Sequence, residues 1–171
     1  MLIIVAGLPG SGKSFFAYRF AERINAEYLS SDVIRRELLS EREYSQEEKY
    51  RVYDEMLYRT QQLLSKNRDV IVDATFYKND LRQKYLDAAI SLKCKTIMIE
   101  VWASESISRK RLERNRKYSE ADLEVYLKVK KSFESIQQDH LRLRSTNSNI
   151  DHMIETSLAY IKDKYVTGAS S

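Results

Sequence analysis

Apolar residues along the chain follow two alternating patterns, short continuous runs and longer segments with helical spacing. The continuous runs, rich in Val and Ile, predict buried β-strands, and apolar positions three or four residues apart predict amphipathic helices. The predicted strands span residues 2–6, 26–29, 69–73, 95–101 and 141–144. The predicted helices span residues 13–25, 32–39, 46–66, 81–90, 104–117, 120–136 and 150–165. Strands that alternate with helices indicate an α/β fold, with a parallel sheet covered by helices on both faces.

Apolar residues at helical spacing support two of these helices and predict an inner stripe for one of them. In the first predicted helix the apolar positions are Phe15, Phe16, Tyr18, Phe20, Ala21 and Ile24. In the helix over residues 46–66 the inner stripe comprises Tyr50, Tyr53, Leu57, Thr60 and Leu64. The fifth strand alternates Leu with Arg over residues 141–144, which predicts an edge strand with one face in solvent.

The segment after the first strand carries the strongest motif in the chain. It reads Gly-Leu-Pro-Gly-Ser-Gly-Lys-Ser and fits the phosphate-binding pattern G-x-x-x-x-G-K-[ST]. Glycines let consecutive backbone N–H groups point at phosphate oxygens, and the positive end of the following helix aims at the same anion. The alternative, a glycine turn that binds nothing, is disfavoured by the complete pattern and by the strand and helix that flank it.

This motif predicts a site for a nucleoside triphosphate, with ATP and Mg²⁺ as cofactors. Lys13 would reach the β- and γ-phosphates, and the Ser14 hydroxyl would ligate Mg²⁺. The residues expected to bind the nucleotide here are Gly7, Leu8, Pro9, Gly10, Ser11, Gly12, Lys13, Ser14 and Phe15.

Ligands of open parallel sheets bind beyond the carboxyl ends of the strands, so polar residues there are the next candidates. Asp32 follows the second strand, and Arg35 lies one turn further along the same predicted helix. Phosphoryl transfer needs a carboxylate to take the proton of the acceptor hydroxyl, and Asp32 is placed for that role. Arg35 would hold an anionic or polar part of the acceptor. The alternative is that Asp32 caps its helix and Arg35 is a solvated charge.

Asp73 ends the apolar third strand, in the manner of a Walker B carboxylate. It would hold Mg²⁺ through water, or orient the acceptor and Arg35. The alternative is a cap for the helix that begins near Lys78. Thr75 is a weaker candidate for either role.

A strongly basic segment over residues 109–117 carries six cations in nine positions. Like charges this close on a helix repel one another unless an anion binds. The segment is therefore predicted to be a mobile lid that closes arginines over the phosphates. Arg111 and Arg114 would contact the nucleotide, with Arg114 equally suited to stacking on adenine, and Arg116 would contact the transferred phosphate. The alternatives are a solvated helix face and a nucleic-acid groove.

Composition places few further limits on the protein. Its 171 residues suit one domain over residues 1–165, followed by a disordered tail over 166–171. The 29 basic and 25 acidic residues give a net charge of +4, which permits an anionic partner without requiring one. The single cysteine, Cys94, excludes an internal disulfide and suits a reducing compartment. No segment approaches the roughly 20 apolar residues of a membrane span, so a cytoplasmic location is expected.

The order of these motifs resembles that of P-loop kinases related to polynucleotide kinase, and zeta-toxin-like and chloramphenicol-phosphotransferase-like kinases share the layout. The resemblance rests on GLPGSGKS, SSDVIRR, VIVDATF and RKRLERNRK, and it covers residues 1–145. It implies a P-loop NTPase fold with a five-stranded parallel sheet and a basic lid helix. The phosphate-loop strand lies in the middle of that sheet.

The resemblance also implies roles for individual residues. Asp32 corresponds to the general base, Arg35 to an arginine that contacts the acceptor, and Asp73 to the carboxylate after the third strand. The lid arginines of such kinases touch the nucleotide and its phosphates. Phe15 departs from the family pattern, as does the Ala-Thr pair after Asp73, which loosens any claim about a polynucleotide acceptor.

The leading interpretation is an ATP-dependent kinase that phosphorylates a hydroxyl, with the 5′-hydroxyl of RNA or DNA as the first choice of acceptor. One alternative is a kinase of a small molecule such as a sugar, nucleoside or antibiotic. Another is a regulatory ATP-binding module that phosphorylates no acceptor. A pocket enclosed by the helix over residues 46–66 favours a small molecule, whereas an open basic channel through Arg35, Arg36, Lys78 and Arg82 favours a polynucleotide.

Overall fold

A computed structural model of the protein describes residues 1–38, 45–114 and 120–166. The strands in this part of the chain are β1 (Leu2–Ala6), β2 (Glu27–Ser30), β3 (Val70–Asp73), β4 (Thr96–Trp102) and β5 (Leu141–Arg144). The helices are α1 (Lys13–Ile24), α2 (Ser31–Leu38), α3 (Gln46–Leu64), α4 (Asn79–Ser91), α5 (Glu105–Arg114), α6 (Glu120–Ser132) and α7 (Ile150–Val166). Every predicted element is present, and the ends differ from the predicted ones by a few residues.

The strands form one parallel sheet in the order β2-β3-β1-β4-β5. β1 lies in the centre, where Val5 pairs with Asp73 of β3 and Ala6 pairs with Glu100 of β4. Parallel neighbours need crossover connections, and the intervening helices supply them. The predicted α/β fold, with the phosphate-loop strand in the middle of the sheet, is confirmed. Its consequence is that the ends of β1, β2 and β3 lie side by side.

Each face of the sheet packs against its own apolar cluster. Successive residues of β1 point to opposite faces, so Ile3 and Ile4 belong to different clusters. Helices α3 and α4 cover one face with buried residues such as Met56 and Tyr85. Helices α1 and α7 cover the other face, where Phe16, Phe20 and Met153 are buried. The two layers hold the strand ends in fixed relative positions.

β5 forms one edge of the sheet, as its alternating sequence predicts. Leu143 is buried, whereas Arg142 and Arg144 are exposed. Both guanidinium groups lie over the ring of Trp102, at 5.0 and 5.6 Å from its centre. The aromatic face attracts the two cations and covers the exposed side of the edge strand.

The inner stripe predicted for α3 is partly wrong, and α1 buries fewer side chains than it has apolar positions. On α1 the buried residues are Phe16, Ala17, Phe20 and Ala21. Phe15 and Tyr18 are 58% and 48% exposed, because they lie outside the narrow buried stripe that these four residues form. On α3 the buried residues are Glu48, Val52, Tyr53, Met56, Thr60 and Leu64. Tyr50 is 41% exposed, because the first turns of α3 border a cleft rather than the core.

Parts of the predicted lid and tail lie outside the described residues. Residues 115–119, which include Arg116, are among them, and so is the tail over 167–171, whereas Val166 belongs to α7. Arg114 ends α5, and its side chain is also outside the described atoms. The roles of Arg114 and Arg116 therefore stay predictions. No helix in the described ranges has the length and apolar character needed to span a membrane.

Candidate active site

The phosphate loop connects β1 to α1 and depends on glycine where the backbone turns. Gly10 and Gly12 have φ angles of +74° and +90°, in the left-handed region that glycine enters without strain. A Cβ on Gly10 would lie 2.6 Å from the carbonyl oxygen of Ser108, and a Cβ on Gly12 would lie 2.7 Å from Ser145 Oγ. Any other residue at these positions would disrupt both the turn and its contacts with α5 and the β5–α7 loop.

Helix α1 begins at the loop and presents its positive end there. Lys13 and Ser14 are its first two residues, and its first turn contains no acidic residue. Free N–H groups and a lysine ammonium at one helix end form a site suited to phosphate. Phe15 follows, but its side chain is 58% exposed and lies beside the Arg19 guanidinium. Its contribution to a bound nucleotide would therefore come from its backbone amide.

Arg111 of α5 bonds to the carbonyl side of the loop. Its guanidinium donates to the carbonyl oxygens of Gly10 (3.3 Å) and Ser11 (3.0 Å), and also to Ser145 Oγ (3.1 Å) and Thr146 O (2.7 Å). Burial lowers the pKa of this guanidinium. Because the carbonyl and amide of a trans peptide point in opposite directions, the bond to Ser11 turns the next N–H away from Arg111. Arg111 thus positions the loop, and its direct contact with the nucleotide stays a prediction.

The end of β3 lies against the phosphate loop. The carbonyl oxygen of Thr75 accepts a hydrogen bond from the backbone N–H of Gly7 at 3.3 Å. Asp73 is 1% exposed, and its Oδ2 accepts a hydrogen bond from the Tyr28 hydroxyl at 2.8 Å. Its Oδ1 is buried and has no hydrogen-bond partner in the described part of the chain. A buried carboxylate oxygen without a donor is costly, so a cation or an ordered water would be stabilised beside it.

Ser14 and Asp73 together fit a Mg²⁺ site. Mg²⁺ keeps several waters and is usually bound through one or two protein oxygens together with phosphate oxygens of the substrate. The hydroxyl at the start of α1 and the unpaired Asp73 oxygen supply such groups. Within the described ranges, no cluster of three or more His, Cys, Asp or Glu residues could hold a metal alone. The metal roles of Ser14 and Asp73 stay predictions with which this geometry is compatible.

Tyr28 is a site residue that the sequence pattern does not reveal. Burial, and after it the charge of Asp73, raises the pKa of the phenol, so the hydroxyl remains protonated and donates to the carboxylate. β2 pairs with β3 so that Ser30 lies opposite Asp73. Only the order of strands in the sheet brings Tyr28 to the carboxylate, and no local motif indicates that order.

Asp32 lies in the first turn of α2 and lines a cleft beside the phosphate loop. Its side chain is 63% exposed, and Arg35 Nη1 donates to its Oδ1 at 3.2 Å. Arg35 Nε lies 2.9 Å from Oε1 of Glu48, a carboxylate that is 5% exposed. The buried carboxylate therefore holds Arg35 beside Asp32. Because Asp32 remains accessible, it can accept a proton from a bound hydroxyl.

Sequence reasoning also misses Glu48, although a local signal was present. Ser45 caps α3, and its Oγ accepts the N–H of Glu48 at 3.0 Å. Ser-x-x-Glu before a helix is the capping-box pattern, which predicts that Glu48 lies in the first turn. The pattern does not predict that the carboxylate pairs with Arg35, because α2 and α3 meet only in the folded chain.

A cleft of about 860 Å³ connects these groups. It lies between the phosphate loop, α2, the first turns of α3, the second half of α6 and the start of α4. The residues that line it include Lys13, Ser14, Asp32, Arg35, Gln46, Glu48, Lys49, Tyr50, Thr75, Tyr77, Lys78, Val125, Lys128 and Val129. The phosphate-binding end and the candidate base thus open onto one space.

The basic channel predicted for a polynucleotide does not include Arg82. This side chain is fully buried and donates to the carbonyl oxygens of Phe76 (2.8 Å), Glu134 (3.0 Å) and Ser135 (3.2 Å). Lys78 is paired with the Glu134 carboxylate at 2.7 Å. Helix α3 borders the cleft instead, which is the arrangement that favours a small acceptor.

A parallel sheet whose central strand runs into a phosphate loop places the protein among the P-loop nucleotide-binding proteins. A family model described as an AAA domain matches residues 2–136. The chain belongs to this family, a family of P-loop kinases. The resemblance to P-loop kinases is thereby confirmed, whereas a specific likeness to polynucleotide kinase stays a prediction.

Known kinases resemble the chain in sequence and in structure. L-seryl-tRNA(Sec) kinase of Methanococcus maripaludis is 27% identical over an alignment of 122 residues, and the match covers 68% of this chain and 47% of that protein. This chain therefore spans about half the length of that relative. APS kinase CysC of Mycobacterium tuberculosis, in complex with AMPPNP and APS, superposes with a TM-score of 0.76 at 16% identity, over 94% of this chain and 96% of that one. A gluconokinase of Sinorhizobium meliloti gives a TM-score of 0.70 at 17% identity, over 99% and 97%. At these identities the structural likeness shows the fold alone, and it confirms the predicted P-loop NTPase fold.

Proposed function

We propose that the protein transfers the γ-phosphate of ATP to a hydroxyl group of a small molecule. The observation that carries this proposal is the shared cleft, onto which Lys13, Ser14 and Asp32 all open. A phosphate loop alone would suit any nucleotide-binding protein. An accessible carboxylate in the same space adds what phosphoryl transfer to an alcohol requires, a group that accepts the proton.

The groups divide the reaction between them. Lys13 and the loop amides bind the β- and γ-phosphates, and Mg²⁺, held through Ser14 and Asp73, would neutralise developing charge on the phosphates. The acceptor oxygen forms a bond to the γ-phosphorus, while the bond from that phosphorus to the β–γ bridging oxygen breaks. ADP leaves with the electron pair, and Asp32 takes the acceptor's proton. Arg35, held by Glu48, orients Asp32 towards the cleft through its hydrogen bond.

The size and walls of the cleft favour a small acceptor over a polynucleotide. Helix α3 borders the space, Arg82 is used inside the protein, and Lys78 is neutralised by Glu134. Two of the solved structures with this fold are an APS kinase and a gluconokinase. The name of the matched seryl-tRNA kinase indicates an acceptor attached to tRNA, so RNA acceptors are included in the test.

The test follows the label of γ-labelled ATP in the presence of Mg²⁺. Acceptors are a panel of small hydroxyl compounds, a 5′-hydroxyl oligonucleotide and bulk tRNA, and the control is the Lys13→Ala variant. We expect label on a small compound and none with the variant. Label on the oligonucleotide or tRNA alone would contradict the proposal, and ATP consumption without any labelled acceptor would favour the regulatory module.

A further inference from the structure

The cleft carries cations that the protein itself does not neutralise. Five basic side chains line it: Lys13, Arg35, Lys49, Lys78 and Lys128. Arg35 is paired with Asp32 and Glu48, and Lys78 is paired with Glu134. Among the residues that the structure describes, Lys13, Lys49 and Lys128 form no ion pair with a carboxylate. Lys13 has its partner in the triphosphate, which leaves Lys49 and Lys128.

Lys49 and Lys128 approach the cleft from two different helices. Lys49 lies in the first turn of α3, directly after Glu48, and Lys128 lies on α6. The Lys49 ammonium is half-buried and sits over the ring of Tyr77, 5.7 Å from its centre. Burial lowers the pKa of Lys49, and repulsion from Lys128 and Arg35 lowers it further. Cations held close together at the wall of a cleft are stabilised when an anion enters between them.

The other acidic groups of the cleft are already used. Glu134 accepts from Lys78 and from the backbone N–H of Asn79 at 2.6 Å. Asp80 accepts the N–H of Leu81 at 2.8 Å at the start of α4. Glu48, which precedes Lys49 on α3, favours the charged form of Lys49, but its carboxylate is paired with Arg35. The two lysines thus lie on the side of the cleft formed by α3 and α6, and neither forms an ion pair within the described residues.

We propose that the acceptor carries a carboxylate, sulfate or phosphate group in addition to its reacting hydroxyl, and that Lys49 and Lys128 bind this anionic group. The proposal rests on the proposed kinase function and specifies its substrate class. The hydroxyl would lie at Asp32, and Lys49 is placed beside Glu48, the partner of Arg35. Both ends of the acceptor would then be fixed, which favours attack on the γ-phosphorus.

The test compares related acceptors with and without an anionic group. Glycerol is assayed beside glycerate and glycerol 3-phosphate, and glucose beside gluconate and glucose 6-phosphate, with γ-labelled ATP. We expect the label on anionic members of these sets. In a Lys49→Gln, Lys128→Gln double variant, KM for that acceptor should rise about tenfold, with kcat and KM for ATP nearly unchanged. Lys66→Gln changes an exposed lysine just beyond the far end of α3; it is the matched control and should leave KM unchanged.

A second measurement needs no acceptor and separates this inference from the kinase proposal. The side-chain NMR signal of Lys49, assigned with Lys49→Gln, is titrated with pH in the presence and absence of inorganic sulfate, with ADP occupying the nucleotide site. We expect sulfate to raise the pKa of Lys49, and Lys128→Gln to weaken that response. If no compound is labelled, the kinase proposal fails, and the sulfate titration still decides whether the anion site exists. Label on neutral compounds or the oligonucleotide, an unchanged KM in the double variant, or a Lys49 titration indifferent to sulfate overturns the inference.

Discussion

Replacing Arg111 by Met tests whether the phosphate loop is held from its carbonyl side. The substitution leaves an unbranched apolar side chain at this position and removes hydrogen bonds to Gly10, Ser11, Ser145 and Thr146. The bonds to Ser11, Ser145 and Thr146 are 3.1 Å or shorter. A hydrogen bond to a charged group contributes about 1.5–3 kcal/mol to stability. Because water replaces part of this contribution at a half-buried site, we expect each of these three bonds to contribute about 1 kcal/mol.

The expected loss is therefore about 3 kcal/mol of unfolding free energy, which lowers Tm by about 6–12 °C in a chain of this size. If half of that loss appears as disorder in the loop, ATP binds about tenfold more weakly, because 1.4 kcal/mol is a factor of ten. Differential scanning fluorimetry measures the first quantity, and isothermal titration with ATP measures the second. Arg111→Lys should recover little, because an ammonium cannot bridge four acceptors as a guanidinium does.

Arg109→Met is the matched control on the same helix. Arg109 pairs with Glu105 at the surface, where both side chains are about 40% exposed, so its loss should cost well under about 1 kcal/mol. Equal effects of the two substitutions would refute the reasoning. A fall in kcat for Arg111→Met without any change in ATP affinity would show instead that Arg111 contacts the transferred phosphate directly.

Three further substitutions test other parts of the account. Tyr28→Phe removes the hydroxyl that donates to Asp73, and it should lower the free energy of unfolding by about 1–3 kcal/mol in a denaturant titration. Turnover should then require more Mg²⁺. Tyr58→Phe, on the exposed face of α3, should change neither quantity. Arg82→Met leaves three carbonyl oxygens without a donor and should cost about 3 kcal/mol, against little for the exposed Arg68→Met. Lys49→Gln should raise Tm at pH 7. The pKa of Lys49 in the folded state lies below its ordinary value of 10.5, so the protonated side chain destabilises the fold. The gain in Tm should therefore shrink as pH rises towards 10.5. A gain that persists at high pH would show that charge is not its cause.

The features visible in the sequence are those that depend on neighbouring residues. The phosphate loop is a contiguous motif, and its strand and helix follow from local apolar spacing, so the fold was predictable. Asp32 and Asp73 were predictable as candidates because the carboxyl ends of parallel strands lie together. Their environments were not, since Tyr28 and Glu48 reach them through β2–β3 pairing and α2–α3 packing.

The roles of the arginines were likewise not predictable from the sequence. A cation near a phosphate loop suggests a ligand contact. The sequence predicts one for Arg111, and Arg82 would belong to a basic channel if the acceptor were a polynucleotide. In the structure both side chains donate to backbone carbonyl oxygens, whose positions depend on the whole fold. Backbone acceptors leave no mark in the pattern of residue types, so a structural arginine and a substrate-binding arginine look alike in sequence.

The proposed reaction depends on Asp32, which would accept the proton of a hydroxyl bound beside the γ-phosphate. Single-turnover transfer from γ-labelled ATP should compare Asp32→Asn with Asp151→Asn, an exposed carboxylate that likewise lies in the first turn of its helix. We expect Asp32→Asn to bind ATP as the wild type does and to transfer label at least about a hundredfold more slowly, while Asp151→Asn behaves as the wild type. Transfer at an undiminished rate in Asp32→Asn would contradict the account.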